Sequence, residues 1–232
     1  MYPMIHRPLD PLESQDPEDT WQALDDFMGG YATGHISQLG WVYNTIAGAG
    51  GSWFYPALTT DQEHGVVEMR TGAANGDRFG IAGVGGLVLG FPVGTVLKTK
   101  FKLPSVADLD AFIGLGPAST IDYRAATNTE LVGFRIDRAV SANIFAVIKN
   151  GVSPAETLLD MGAADTDWHT ASMSRPRTDA ILVHLDKVLV GSMAVTNVPA
   201  AALLRHKAAV GTLTGATKSV YLDFWFAGGP RS

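Results

Sequence analysis

The stretch Thr95–Pro104, "TVLKTKFKLP", decides the fold class because its polar and apolar residues alternate almost without a break. Side chains on a β-strand point alternately to the two faces of a sheet. One face would carry Leu97, Thr99, Phe101 and Leu103, and the other Val96, Lys98, Lys100 and Lys102. The stretch therefore predicts a strand with one face on a hydrophobic core and the other in water.

The same period of two recurs along the chain and predicts about fourteen short strands. The final strand, "SVYLDFWFAG", should place Val220, Leu222, Phe224 and Phe226 on one face and Tyr221, Asp223 and Trp225 on the other. The further candidates are 41–47, 65–71, 79–84, 87–91, 109–115, 130–137, 144–149, 156–161, 168–173, 179–185, 188–193 and 208–213. Many short strands with turn signals between them are typical of a β-sandwich or barrel.

Composition agrees with an all-β globular domain. Of the 232 residues, 46% are hydrophobic and 17% charged, with 26 glycines and 12 prolines available for turns. The net charge of −6 and the scattered cations argue against nucleic acid as a partner. The absence of cysteine excludes a disulfide framework, thiolate catalysis and cysteine-based zinc sites.

Residues 1–23 are expected to form an extended N-terminal arm ahead of one sandwich domain, 24–232. Prolines at positions 3, 8, 11 and 17 disfavour regular structure there, and the segment has no apolar core typical of a signal peptide. Asp16-Pro17 is a helix-start signal, so Thr20–Met28 is expected to form about two helical turns. The alternative is an opening strand around Leu24–Met28. A second short helical turn is expected in Asn197–His206.

The uncharged segment Phe79–Leu97 has about the length of a membrane span. Its glycines and Pro92 favour two short buried strands joined by a glycine turn instead. No membrane partner is therefore expected.

An ordered set of motifs resembles the concanavalin A-like lectin/glucanase jelly roll. The set comprises "LDDFMGG", "GHISQLGWVYN", "HGVVEMRTGAANGDRFGIAG", "TKFKLPSVADLDAFIGLG", "LVGFRID", "DWHTASM", "ILVHLDKVLVGSM" and "SVYLDFWF", over about residues 24–227. More narrowly, it is similar to the version found in virion proteins of tailed bacteriophages. The resemblance implies two packed antiparallel sheets, with a role in capsid decoration, a head fibre, a tail fibre or a baseplate, and host-glycan binding in some members.

One turn departs from the pattern of the family. Relatives usually have Asp-Gly in the hairpin where this chain has Asp186-Lys187. A two-residue type I′ turn needs positive φ twice, which lysine tolerates poorly. The sequence therefore predicts a longer loop or another turn type here.

Glucanases of this fold carry catalytic carboxylates at alternate positions of one strand, which places the acid and the nucleophile on one face. The chain lacks that spacing. Glu68 stands alone, and three acid pairs are each interpreted as solvated turn or rim residues: Asp108 with Asp110, Glu156 with Asp160, and Asp165 with Asp167. His169, beside Trp168, is expected to bond across the strand ladder and not to act as a catalyst.

Two groups of residues are candidates for binding sites. A calcium site could draw on Asn150, Asp160, Asp165 and Asp167, although a structural role is favoured and no metal or cofactor is expected. Trp53, Phe54 and Tyr55, in the glycine-flanked stretch "GGSWFYP", are the candidates for glycan contact or a protein interface.

These patterns favour a non-enzymatic phage virion structural protein, made in the host cytoplasm, that contacts other virion proteins and associates with itself. The alternative is a glycan-binding receptor module that recognises a host surface glycan. A glycoside hydrolase ranks third, because the paired carboxylates are missing.

Overall fold

The computed structural model describes residues 20–25, 41–46, 51–54, 65–83, 88–89, 91–117, 123, 129–151, 156–177, 179–199 and 203–230. These residues form the strands β1 (Thr20–Asp25), β2 (Trp41–Ile46), β3 (Ser52–Phe54), β4 (Val67–Arg70), β5 (Arg78–Gly83), β6 (Val88–Leu89), β7 (Val96–Lys102), β8 (Leu109–Gly116), β9 (Glu130–Asp137), β10 (Asn143–Asn150), β11 (Glu156–Ala163), β12 (Trp168–Ser174), β13 (Ala180–Leu185), β14 (Val188–Ala194), β15 (Leu203–Thr212) and β16 (Ser219–Pro230).

The strands build two antiparallel sheets that pack face to face. The first sheet has the order β14-β13-β12-β7-β16-β4-β3, with β1 also paired to β16. The second has the order β11-β10-β9-β8-β15-β5-β2, with β6 also paired to β15. Neighbours in these orders are often distant in sequence, so the chain crosses repeatedly between sheets. The predicted all-β jelly-roll sandwich is confirmed.

The core lies between the sheets and is lined by the inward residues of both. Strand β7 follows its predicted alternation: Leu97, Thr99 and Phe101 are fully buried, and the lysines between them are partly exposed. Strand β8 supplies Leu109, Ala111, Ile113 and Leu115 to the same core. Burying such side chains contributes roughly 1.5–3 kcal/mol each, which makes this face the main source of stability.

Strand β16 does not keep the predicted alternation along its whole length. Val220 and Leu222 are buried as expected, but Trp225 is also fully buried, whereas Phe224 and Phe226 are partly exposed. The pairing of β16 with β7 shifts register between Leu222 and Phe224. A β-bulge inserts one residue and exchanges the two faces beyond it, so the prediction is wrong past Leu222.

The two helical predictions are wrong where the structure describes them. Thr20–Asp25 is strand β1, paired with β16 from Thr20 opposite Pro230 to Asp25 opposite Trp225. Pairing with this long partner overrides the local helix-start signal, and the alternative of a strand is the better one. The predicted turn in Asn197–His206 is replaced by a short helix at Val195–Asn197, after which strand β15 begins at Leu203.

Some predictions concern residues outside those described. The arm proposed for 1–23 is described only from Thr20 onward. Within the described residues, no helix is long and apolar enough to cross a bilayer. Part of the uncharged segment Phe79–Leu97 belongs to β5, β6 and β7.

The hairpin at Asp186-Lys187 has the tight turn that the sequence argued against. Leu185 pairs directly with Val188, so the loop has two residues, and φ is 51° at Asp186 and 70° at Lys187. Asp186 is held in place because its carboxylate accepts from the Thr170 amide at 2.8 Å and its own amide donates to the Thr170 carbonyl. These bonds explain how a turn without glycine is tolerated.

Replacing Lys187 by glycine should stabilise the protein. Glycine removes a left-handed backbone cost of about 1–2 kcal/mol, partly offset by the greater entropy of the unfolded chain, for a net gain of up to ~1 kcal/mol. Chemical denaturation of parent and variant measures this gain in unfolding free energy. Asp186→Gly is the matched comparison and should destabilise, because it loses the carboxylate bonds. A Lys187→Gly protein less stable than the parent would contradict the turn geometry.

Candidate functional site

The outer face of the second sheet carries a small hydrophobic cluster of its own. Its members are Ala82, Phe112, Tyr123, Leu131, Val147 and Ala209. Tyr123 stacks on Phe112 with ring centroids 5.4 Å apart and planes inclined by 23°. Tyr123 lies in the sequence between β8 and β9, and its ring covers Phe112 on the outer face of the sheet.

Two glycines make room for the Phe112 ring. Gly114 and Gly133 are directly opposed on β8 and β9. A Cβ on Gly114 would lie 2.3 Å from the Val132 carbonyl oxygen, 2.6 Å from the Gly133 Cα and 3.0 Å from Phe112 Cζ. Two of these atoms are backbone and cannot move cheaply, so the glycines are steric requirements of the outer face.

Beside this cluster lies an open depression of about 270 Å³. We call it the outer-face depression; it is lined by Tyr123, Leu131, Arg135, Asp137, Lys149 and Glu156. Tyr123 and Leu131 give it an apolar wall, and the other four side chains are charged. Charged groups therefore dominate the lining, which suits a polar ligand.

Arg135 joins the two carboxylates of the depression. Its Nη1 lies 2.7 Å from Glu156 Oε1 and its Nη2 lies 3.5 Å from Asp137 Oδ2. The Glu156 side chain is 28% exposed and that of Asp137 7%. Because one guanidinium reaches both, the carboxylates lie within roughly 9 Å of each other, which is no farther apart than the acid pairs of glycosidases.

A third carboxylate stands beside Asp137. Asp110 is directly opposite Asp137 in the β8–β9 pairing and is 1% exposed. Arg78 reaches toward it, with Nη2 3.8 Å from Asp110 Oδ2. Gly211 lies between Arg78 and Asp110 in the sheet, and a Cβ there would press against both side chains. Asp110 and Asp137 thus place two buried carboxylates side by side next to the depression.

Lys207 is a buried cation of this face. It pairs with Gly114 on β8 and is 1% exposed. A Cβ on Gly116 would meet Lys207 Cδ at 3.1 Å and Leu131 Cδ2 at 3.0 Å, so the lysine stem runs toward the wall of the depression. Burial, with the nearby charge of Arg205, lowers the pKa of Lys207 to about 8.

The structure contradicts the interpretation of Asp110 and Glu68 as solvated turn or rim residues. Asp110 is a buried strand residue, whereas Asp108 is in a turn with φ of 51°. Glu156 lines the depression. Glu68 is 2% exposed and is bound by Arg70 and Ser219. The spacing of acids along a single strand could not predict these groupings, because Asp110, Asp137 and Glu156 lie on three different strands. The register between neighbouring strands would have been needed.

The other predicted site residues are not gathered into one site. Trp53 and Phe54 lie on β3, opposite Met69 and Glu68, and Tyr55 lies outside the described residues. Asp160 binds Asn143, and Asn150 donates to the Val198 carbonyl. Among the residues that the structure describes, no group of three or more histidine and acidic side chains could hold a metal ion.

His169 is a residue of the strand ladder, paired with Phe101 on β7, and its ring is held between two carboxylates. Its Nδ1 lies 2.9 Å from Asp186 Oδ2 and its Nε2 lies 2.9 Å from Asp165 Oδ1. Burial opposes protonation, but the hydrogen bonds to Asp186 and Asp165 prevail and raise the pKa of His169. The His169 ring thus connects the turn before β12 to the β13–β14 hairpin, which is a structural role.

Comparisons with solved structures identify the architecture. A protein of unknown function from Shewanella oneidensis MR-1 matches with a TM-score of 0.63 and 16% identity, over 99% of this chain and 97% of its own. An endo-acting O-glycanase of the human gut microbiota, of the kind that initiates mucin breakdown, matches at 0.60 and 14%, over 90% and 99%. The glycoside hydrolase family 16 endo-glucanase from Bacteroides ovatus matches at 0.58 and 14%, over 88% and 98%.

The chain has the concanavalin A-like jelly-roll fold. No protein-family model matches it, and no curated protein matches it in sequence. The prediction of a non-enzymatic virion structural protein is wrong by these comparisons, because the solved chains that share nearly the whole fold include glycoside hydrolases. At 10–16% identity the likeness itself establishes the fold.

Gly114→Ala should destabilise the outer face. The added methyl group meets backbone atoms closer than any real contact allows, and such overpacking costs roughly 1–3 kcal/mol. Gly191→Ala is the control, since a Cβ there finds Leu159 at an ordinary 3.4 Å. Urea unfolding of both variants checks this; equal stability would show that Phe112 and β9 yield to the methyl group.

His169→Gln should weaken the protein most in acid. The folded state raises the pKa of His169, so its stabilising effect is complete below the unfolded value of about 6.5 and is lost as pH rises through the folded value. The difference in unfolding free energy between parent and variant should therefore shrink with rising pH. His184→Gln, on β13, is the control. A difference independent of pH would show that protonation of His169 does not contribute to stability.

Proposed function

We propose that the protein is a glycoside hydrolase whose active site is the outer-face depression. The observation that carries the proposal is the pair Asp137 and Glu156, held by one arginine at the rim of an open cavity. The shared fold with an endo-glucanase and an O-glycanase supports a saccharide substrate.

The reaction requires two carboxyl groups with different protonation. One donates a proton to the glycosidic oxygen as the bond to the anomeric carbon breaks. The other, ionised, either attacks that carbon or takes a proton from the attacking water. Where the carboxylate attacks the carbon, water then hydrolyses the glycosyl ester; by either route the glycosidic bond breaks, one water molecule is consumed and both carboxyl groups return to their starting protonation.

The remaining residues of the depression position the substrate. Arg135 fixes both carboxylates before substrate arrives, which lowers the cost of orienting them. Tyr123 and Leu131 line the depression but are only 5% and 3% exposed, so contacts to a sugar fall to the charged side chains, among which Lys149 offers a donor to its hydroxyl groups. The set departs from the single-strand acid pattern, so a glycosidase here divides its acids between β9 and β11.

Glu156→Gln and Asp137→Asn should each lower the release of reducing ends from a polysaccharide panel by about 100-fold or more, as expected when an acid–base group is removed. The panel should include mixed-linkage and β-1,3-glucans and mucin glycans. Glu130→Gln changes a carboxylate on β9 outside the depression and should retain activity. Unchanged hydrolysis in both site variants would refute the assignment, as would an inactive parent.

The narrower resemblance bears on where such an enzyme would act. We propose that it is carried on a tailed-phage virion, contacts other virion proteins or a second copy of itself, and meets a host surface glycan. Support comes from the ordered motifs between about residues 24 and 227. Mass spectrometry of purified particles tests the location.

A further inference from the structure

The outer face of the first sheet carries a row of cations. Leu97, Thr99 and Phe101 point into the core, so Lys98, Lys100 and Lys102 point outward from β7. Alternate residues of a strand are about 6.7 Å apart, so the row is roughly 13 Å long. All three lysines are partly exposed. This face is on the opposite side of the sandwich from the outer-face depression.

Aromatic rings flank the lysines on one side. In the pairing of β16 with β7, Phe226 stands opposite Lys98, Phe224 opposite Lys100 and Tyr221 opposite Lys102. All three rings are partly exposed. The bulge after Leu222 is what turns the two phenylalanines outward. The bulge, which breaks the predicted alternation, therefore produces the aromatic part of this surface.

Hydroxyl groups and an indole flank the lysines on the other side. Strand β12 places Ser172 opposite Lys98, Thr170 opposite Lys100 and Trp168 opposite Lys102. The Lys100 ammonium group lies 5.1 Å from the centroid of the Trp168 ring. Cations, aromatic faces and hydroxyl groups therefore occupy three adjacent strands. We call this surface the lysine face.

The acids near the lysine face are already bonded. Asp223 forms an ion pair with Lys100, and Glu68 accepts from Arg70 and Ser219. Within the described side chains of β4, β7, β12 and β16, the cations of this face outnumber its acids. These cations are gathered on one face of a chain whose net charge is −6.

We propose that the lysine face binds an acidic polysaccharide, independently of the hydrolase activity. The lysines would contact its carboxylate or sulfate groups, and the rings of β16 and Trp168 would take the apolar faces of its sugars. A single-stranded nucleic acid could use the same rings. The polysaccharide is favoured because solved chains that share this fold, among them an endo-glucanase and an O-glycanase, act on saccharides.

Binding of the full chain to polygalacturonate, dextran sulfate, neutral dextran and oligo(dT) tests the proposal, by calorimetry at low and at about 0.15 M salt. Polygalacturonate and dextran sulfate separate carboxylate from sulfate recognition. At least one should bind, more weakly at higher salt, while dextran should not. Lys98→Gln/Lys102→Gln should weaken binding by roughly 10-fold or more, because two of three cations are removed.

Lys187→Gln is the charge-matched control, since Lys187 lies in the β13–β14 turn and outside the lysine face. It should bind as the parent does. Loss of binding on Lys149→Gln but not in the double variant would place the polysaccharide in the outer-face depression and overturn the proposal. Tighter binding of oligo(dT), or no binding of either acidic polymer, would also overturn it.

Discussion

The structure depends on the burial of one face of each sheet against the other. β7 and β8 lie inside their sheets, and their inward residues, from Leu97 to Leu115, form the centre of the core. Because side chains alternate, a buried inner face leaves every second residue on an outer face. The outer-face depression and the lysine face are both consequences of this single constraint.

The inner faces are tightly packed around His206. His206 contributes to the core side of β15 and packs against Trp225, with ring centroids 5.3 Å apart. A Cβ on Gly83 would lie 2.1 Å from the His206 ring. Burial lowers the pKa of His206 to about 3, whereas the hydrogen bonds to Asp186 and Asp165 raise the pKa of His169. The two histidines therefore link folding to pH with opposite signs.

The period of two predicted most strands because it depends on local sequence alone. Strand β7 matches its prediction residue by residue, whereas β16 fails after Leu222, where a bulge set by its partner intervenes. The turn at Asp186-Lys187 was missed because the bonds that hold it come from β12, distant in sequence. The sequence did not predict that Asp137 and Glu156 lie close together for the same reason, because the spacing of residues along one strand does not reveal the register between strands.

The Asp186-Lys187 turn also bears on solubility. It is followed directly by Val188 and Leu189, which are 67% and 55% exposed on β14, the edge strand of the first sheet. An exposed apolar edge invites pairing with another chain, and flanking charges oppose that pairing. Lysine in a left-handed turn position thus keeps a charge beside this edge at the expense of backbone strain. Glycine would fit the turn better and leave the edge less protected, so conformational stability and resistance to aggregation favour different residues at one position.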